Sequence, residues 1–299
     1  MEIGIIFAIL VAVSFGASDI FIRRGMLKAG ESYTAVLIGL LIGIVLFSLM
    51  ISFNAEWDRV WALSWQEIGL LVGAGLIHYV GGRFLYYFSI RLIGANKGSA
   101  ISKTDVLTAV VLGIIILHES LTIPLVLGVL CILPGVILVS TEKQAANVGG
   151  QSNTPEIQVK GILGSLGAGL CWGTSGVLIR PAVRIIGSPF IGVLVSYVTA
   201  ALILSGFLFR RRQRGQLVHL NLSALTPITI AGVFTSAANL FRYTALSYSP
   251  VSLVRPIEST YILYLLLFSF LFNRKLEVFT WKVIAGMLLV VAGTVILST

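Results

Sequence analysis

An apolar run from Val251 to Phe272 carries Arg255 and Glu258 close to its start. About twenty apolar residues in a row are enough to cross a bilayer as a helix. The two charges would lie roughly 6 and 10 Å past the entry point. An ionised side chain in hydrocarbon costs at least a few kcal/mol and usually faces a cavity or a partner. Three residues apart, Arg255 and Glu258 share a helix face and could pair. A related stretch in the first half, Ala95 to Asp105, carries Lys103 and Asp105. These lie roughly 12 and 15 Å into a second apolar run. A chain with charged spanning segments in both halves is constrained to bury those charges against one another or around a ligand.

The spans recur along the whole chain. Of its 299 residues, 57% are hydrophobic and 11% charged, and the mean hydropathy is +0.98. That excludes an ordinary soluble domain and predicts an all-α membrane protein. The runs predict ten transmembrane helices at 3–22, 33–53, 68–90, 95–117, 122–140, 161–180, 188–209, 227–247, 251–272 and 278–297. The net charge of +9 reads as loop topology, with the lipid bilayer as partner and no nucleic acid. Cys131 and Cys171 lie inside apolar runs with no metal or redox spacing, so neither metal nor cofactor is expected.

The halves resemble each other. Residues 1–140 form a first five-helix repeat, 141–160 a polar linker with Gly149-Gly150, and 161–299 a second repeat. Gly4 to Arg23 aligns without a gap on Gly161 to Arg180, matching Phe15-Gly16-Ala17-Ser18 with Trp172-Gly173-Thr174-Ser175. Gly128, Gly135 and Ser140 match Gly286, Gly293 and Ser298. An odd number of spans per half would insert the second copy upside down, giving two inverted repeats with a shared site near the midplane. Loops after odd-numbered spans carry thirteen Lys and Arg against three in the others. Both termini are therefore expected outside the cytoplasm, in a multi-pass protein of the cell membrane.

Arg83 and Arg242 lie roughly 10 and 8 Å from the ends of the third and eighth spans. With Lys103 and Arg255 they form two basic pairs, entering from opposite faces. They exceed Asp105 and Glu258 by two charges. An anionic ligand at the centre and a purely structural pairing of helices both fit. Asp105, about 200° around the helix from Lys103, is expected to bind a neighbouring helix. Asp19 and Arg23 are spaced for a local i,i+4 bridge. His78 reads as hydrogen-bonded, and Trp57, Trp61 and Trp65 as interfacial anchors. Spans 2, 5 and 7 carry no ionisable residue in their centres, so their small residues read as packing points.

These residues resemble the drug/metabolite transporter superfamily and, within it, the EamA-like ten-span proteins. The likeness rests on Trp172-Gly173-Thr174-Ser175, Phe15-Gly16-Ala17-Ser18, the turn His118-Glu119-Ser120-Leu121, and the closing stretch from Trp281 to Leu297. The second half departs from it, with Asn273-Arg274-Lys275-Leu276 where an acidic turn is expected. The resemblance implies two five-helix repeats around a central cavity and alternating access without ATP. A weaker similarity to sugar-phosphate translocators implies basic phosphate-binding residues on spans four and nine, where Lys103 and Arg255 stand. Amino-acid and drug exporters of the superfamily use apolar aromatic cavities, and Tyr86, Tyr87, Tyr243, Tyr261 and Tyr264 keep that reading open. A lipid-headgroup flippase is a third. An intramembrane enzyme would need an HExxH, paired aspartates or a Ser-His arrangement, none of which occurs, so no catalytic residue is expected. The expected partner is a small-molecule substrate whose anionic group meets Arg83, Lys103, Arg242 and Arg255. Asp105 and Glu258 would be coupling groups or counter-charges. Whether the chain is a monomer or a homodimer does not follow.

Overall fold

The computed structural model of the chain describes residues 2–29, 32–105, 107–108, 111–112, 123–141, 154–206, 221–248, 257–258, 260–277 and 279–296. Among these residues there are helices and no strands. Five helices are long and apolar enough to cross a membrane: Ile3–Lys28, Tyr33–Phe53, Trp65–Ile93, Pro189–Gly206 and Leu222–Arg242. Shorter apolar helices cover Val126–Val139, Tyr261–Phe272 and Trp281–Gly293.

Of the first two helices, α2 (Ser32–Phe53) is apolar on all sides, as bilayer-facing helices are, while α1 (Glu2–Ala29) carries Asp19, Arg23, Arg24 and Lys28 in its second half. A short helix α3 (Trp57–Trp61) follows. Trp61 and Trp65 stand 80% and 89% exposed, whereas Trp57 packs against the core. Of the three expected anchors, Trp57 is thus partly a packing residue. Helix α4 (Trp65–Gly75) opens on a reciprocal cap in which Ser64 and Glu67 satisfy each other's backbone amides. The chain then widens into a π-helical turn over Leu76–Arg83 before α5 (Phe84–Ile93). Gly94, at φ +87°, makes the turn that only glycine adopts freely, and α6 (Ala95–Ser102) follows.

The fourth span is not the continuous helix that its apolar run predicts. Helix α6 stops at Ser102, and Lys103 takes a tight turn at φ −66° and ψ −3°. The hydroxyls of Ser102 and Thr104 fold back on the carbonyls of Ser99 and Ile101, in competition with the helical ladder. Thr260, just before α11 (Tyr261–Phe272), has almost the same dihedrals, φ −68° and ψ −6°. Its hydroxyl donates to the Ile257 carbonyl at 2.6 Å.

The remaining helices are α7 (Ile123–Thr141), α8 (Pro155–Ile186), α9 (Pro189–Gly206), α10 (Leu222–Tyr248) and α12 (Trp281–Ile296). Helix α10 starts earlier than expected, because Pro227 lies within its first turns and does not stop it. The packing crosses between the halves. Helix α1 lies on α10 through Phe7 against Phe241, Phe21 against Phe234 and Gly25 against Ile228. Helices α5 and α8 meet through Ser89 with Ser165 and Ile93 with Gly161. Helices α2 and α9 meet through Tyr33 with Leu204 and Phe47 with Tyr197. In α7 and α12, Gly135 sits on Gly286 and Gly128 on Gly293. Each pair is antiparallel, since one residue number falls as the other rises. Glycine allows these backbones to touch: a Cβ on either Gly135 or Gly286 would lie 2.7 Å from the other's carbonyl oxygen.

Candidate functional site

The candidate site lies where α1, the π-helical turn, α5, α6 and α11 converge. Gly81 and Gly82 let α8 approach the turn, bringing Cys171 and the Trp172 indole against them. The Trp172 Nε1–H donates to the His78 carbonyl at 3.1 Å, and the His78 ring shares a 2.8 Å hydrogen bond with the Ser175 hydroxyl. His78 is therefore satisfied, as expected. Wide turns of this kind recur at functional sites, and this one ends on Arg83.

Arg83 is 7% exposed. Its guanidinium carbon lies 5.8 Å from the ring centroids of both Tyr79 and Tyr87, one turn before and after it. Tyr197 of α9 also lies within its field and takes a hydrogen bond from the Asn239 amide at 3.0 Å. Arg83 makes no ion pair among the described residues.

Beside it, Asp19 is 5% exposed and accepts a hydrogen bond from the Tyr86 hydroxyl. The cations whose field reaches Asp19 are Arg83 and Lys103. Tyr86 packs on Trp172, with ring centroids 5.0 Å apart, and neighbours Tyr261. The Lys103 ammonium sits 4.7 Å from the Tyr261 ring centroid. Phe15 meets the edge of Tyr261, and the Arg242 guanidinium lies 5.0 Å from the Phe15 centroid. Arg83, Lys103, Arg242, Tyr86 and Tyr261 are thus brought around one aromatic core. Arg255 lies outside the described residues, as does the side chain of Tyr243. So do His118 to Leu121, most of the linker and the run Arg210 to Arg214.

One expected pairing differs, and two involve residues that are only partly described. Glu258 pairs with Arg242 of α10 at 3.0 Å, sixteen positions away, and Arg255 lies outside the described residues. Asp105 is expected to bind a neighbouring helix, yet its buried Oδ1 has no hydrogen-bond partner among the described residues. Asp19 and Arg23 form no local bridge, because each side chain faces a different neighbour. Asp19 takes Tyr86. Arg23, fully buried, donates to the Ile90 and Arg91 carbonyls and pairs with Glu277 at 3.4 Å. Those carbonyls belong to the last turn of α5, where a cation is favoured.

The Glu277 carboxylate in turn accepts from the Ala95 and Asn96 amides at 2.8 and 3.1 Å, the first turn of α6, where an anion is favoured. Burial pushes the Glu277 carboxyl above its usual range, against the pull of Arg23 and the two amides. Glu277 and Tyr197 were missed from the sequence. Glu277 carried a usable signal: it stands to Glu119 at the same offset that relates Gly128 to Gly286. The acidic position of the second half is therefore filled, one residue after the four that appeared to replace it. Tyr197 carried none, since its span reads as mere packing.

No group of three or more His, Cys, Asp or Glu that would hold a metal ion occurs among the described residues. The EamA-like transporter family profile matches the chain twice, over residues 2–141 and 159–299. No curated protein matches the chain. Solved structures do match. One, titled only as the crystal structure of a protein, is 16% identical, covers 96% of this chain and 94% of its own, and superposes with a TM-score of 0.56. At that identity the likeness carries the fold and nothing of the function.

Proposed function

The chain belongs to the EamA-like transporter family, and from that premise we propose that it is a secondary transporter moving a small metabolite with an anionic group by alternating access. The observation that carries the anionic group is Arg83, a buried guanidinium met by tyrosines and ion-paired to no carboxylate among the described residues, the nearby Asp19 taking the Tyr86 hydroxyl instead. A planar guanidinium binds two oxygens of a carboxylate or phosphate at once. Lys103, Arg242 and, from the second half, Arg255 complete the basic set. Tyr86, Tyr243 and Tyr261 form the walls. Glu258 serves as counter-charge to Arg242, while Asp105, with a buried oxygen that has no hydrogen-bond partner among the described residues, is the group for coupling.

The architecture in this reading is ten spans in two inverted five-helix repeats, residues 1–140 and 161–299, with termini outside the cytoplasm. The swapped glycine contacts of α7 and α12 support it. Gly135 meets Gly286 and Gly128 meets Gly293, as a two-fold axis across antiparallel equivalent helices requires. The paired helix breaks at Lys103 and Thr260 support it too, since discontinuous helices line the midplane site of such folds.

The aromatic walls favour a second reading, an exporter of amino acids or amphipathic drugs. The test is solute counterflow in liposomes with wild type and Arg83→Gln. Anionic solutes exchanged by wild type and lost in the variant support the proposal. Neutral or cationic amphiphiles exchanged equally by both support the second reading. Scrambling of labelled lipid without solute exchange would replace both with a flippase.

A further inference from the structure

A cleft of about 660 Å³ opens between α1 and α10, away from the aromatic core. Its polar rim is formed by Arg24, Lys28, Ser223 and Thr226. Its apolar part is formed by Phe21, Leu27, Pro227, Ile230 and Leu276. Among the described residues no carboxylate lines it. Arg24 and Lys28 are one helical turn apart, a spacing at which like charges repel. Arg24 is held in place: its Nε–H donates to the Asn273 side-chain oxygen at 2.6 Å, and a second N–H donates to the Phe272 carbonyl. Lys28 is exposed and makes no ion pair or hydrogen bond among the described residues.

The order of these residues is informative. Along α1, polarity rises from Phe21 to Lys28; along α10, it rises from Ile230 back to Ser223. The helices are antiparallel, with Gly25 on Ile228 and Phe21 on Phe234, so the two gradients point the same way. Each spans seven residues, roughly 10 Å of helix. The cationic end lies where α1 runs past its apolar stretch, and the apolar end runs back toward the centre of the bundle. A free anion would use the cationic rim and leave the apolar floor exposed. A molecule with an anionic head and an acyl tail matches both.

We infer that this cleft is a binding site for an anionic phospholipid, whose phosphate lies between Arg24 and Lys28 and whose acyl chain runs along Phe21 and Ile230. Such a lipid would brace the α1–α10 pair from outside, independently of whatever solute the core takes. Basic residues near a membrane surface attract anionic lipid headgroups.

The test uses the full chain, purified in neutral detergent, with its melting temperature followed as lipid is added. Phosphatidylglycerol should raise the melting temperature, and phosphatidylcholine of the same chain length should not. Glycerol 3-phosphate at equal concentration should give no shift that depends on Lys28, so that a phosphate taken by the core is told apart from one taken by the cleft. Lys28→Gln should raise the half-effective concentration of phosphatidylglycerol about fivefold, the factor that about 1 kcal/mol per basic residue at a membrane surface implies. Lys28→Arg should restore it. Lys28 is exposed, so neither variant endangers folding. Equal responses to the two lipids, an unchanged midpoint in Lys28→Gln, or a glycerol 3-phosphate shift that matches that of the lipid and is lost in Lys28→Gln would each overturn the proposal.

Discussion

Arg23 and Arg83 are both buried and both lie among the helices of the first repeat, yet their surroundings differ. Arg23 meets a carboxylate and two carbonyls at a helix end. That carboxylate, Glu277, comes from the other repeat and also caps α6. Arg83 meets ring faces and hydroxyls. The first arrangement pairs its charge and joins the two repeats. The second has no ion-paired carboxylate among the described residues, although Asp19 lies within its field, whereas a buried guanidinium usually has one. Burial of a charge alone therefore does not mark a binding residue; the chemistry of what already surrounds it does.

The largest expected effect follows from breaking the completed pair. Glu277→Ala leaves Arg23 buried beside two unsatisfied amides and should cost about 3–5 kcal/mol, read as melting temperature and folded yield after extraction. Adding Arg23→Ala should recover part of that loss. Arg83→Met, by contrast, removes a buried charge that has no ion pair among the described residues and should leave stability within about 1 kcal/mol or raise it. Comparable losses in Glu277→Ala and Arg83→Met would erase the distinction.

A second change makes Arg83 resemble Arg23. Tyr87 lies one turn after Arg83, so Tyr87→Glu supplies a carboxylate at pairing distance. The protein should stay folded and lose anion affinity at least tenfold, the scale of about 1.5–3 kcal/mol for a hydrogen bond to a charged group. Unaltered anion binding in a folded variant would remove Arg83 from the site.

Arg242 and Glu258 are an intermediate case, with side chains 30% and 8% exposed. Arg242→Ala should cost about 1–2 kcal/mol, less than Glu277→Ala because water reaches part of the pair. The double change with Glu258→Ala should recover most of it, as a double-mutant cycle on thermal stability would report.

The contrast between the two arginines also explains what was legible in the sequence. The spans could be read because a bilayer demands long apolar runs, and the duplication because Gly128 and Gly135 repeat as Gly286 and Gly293. Arg83 stood out because its depth in the span needs only counting along one helix. Its partners did not: Tyr197 reaches it from α9, and spacing along a chain does not reveal contacts between repeats. For the same reason the Asp19–Arg23 spacing pointed to a local bridge that the fold replaces with Tyr86 and Glu277. The break at Lys103 was hidden by an apolar run that continues through it, while its cause lies in the hydroxyls of Ser102 and Thr104.

The central claim is that Arg83 awaits an anion. The direct measurement is ligand-induced stabilisation of the purified protein by matched pairs of metabolites, each a carboxylate or phosphate beside its neutral amide or alcohol, in wild type and Arg83→Gln. The account predicts that wild type is stabilised by the charged member of at least one pair and not by its neutral counterpart. It also predicts that Arg83→Gln, equally stable without ligand, loses that response by at least tenfold in midpoint concentration. Stabilisation by neutral members, or an anion response that survives intact in Arg83→Gln, would contradict it.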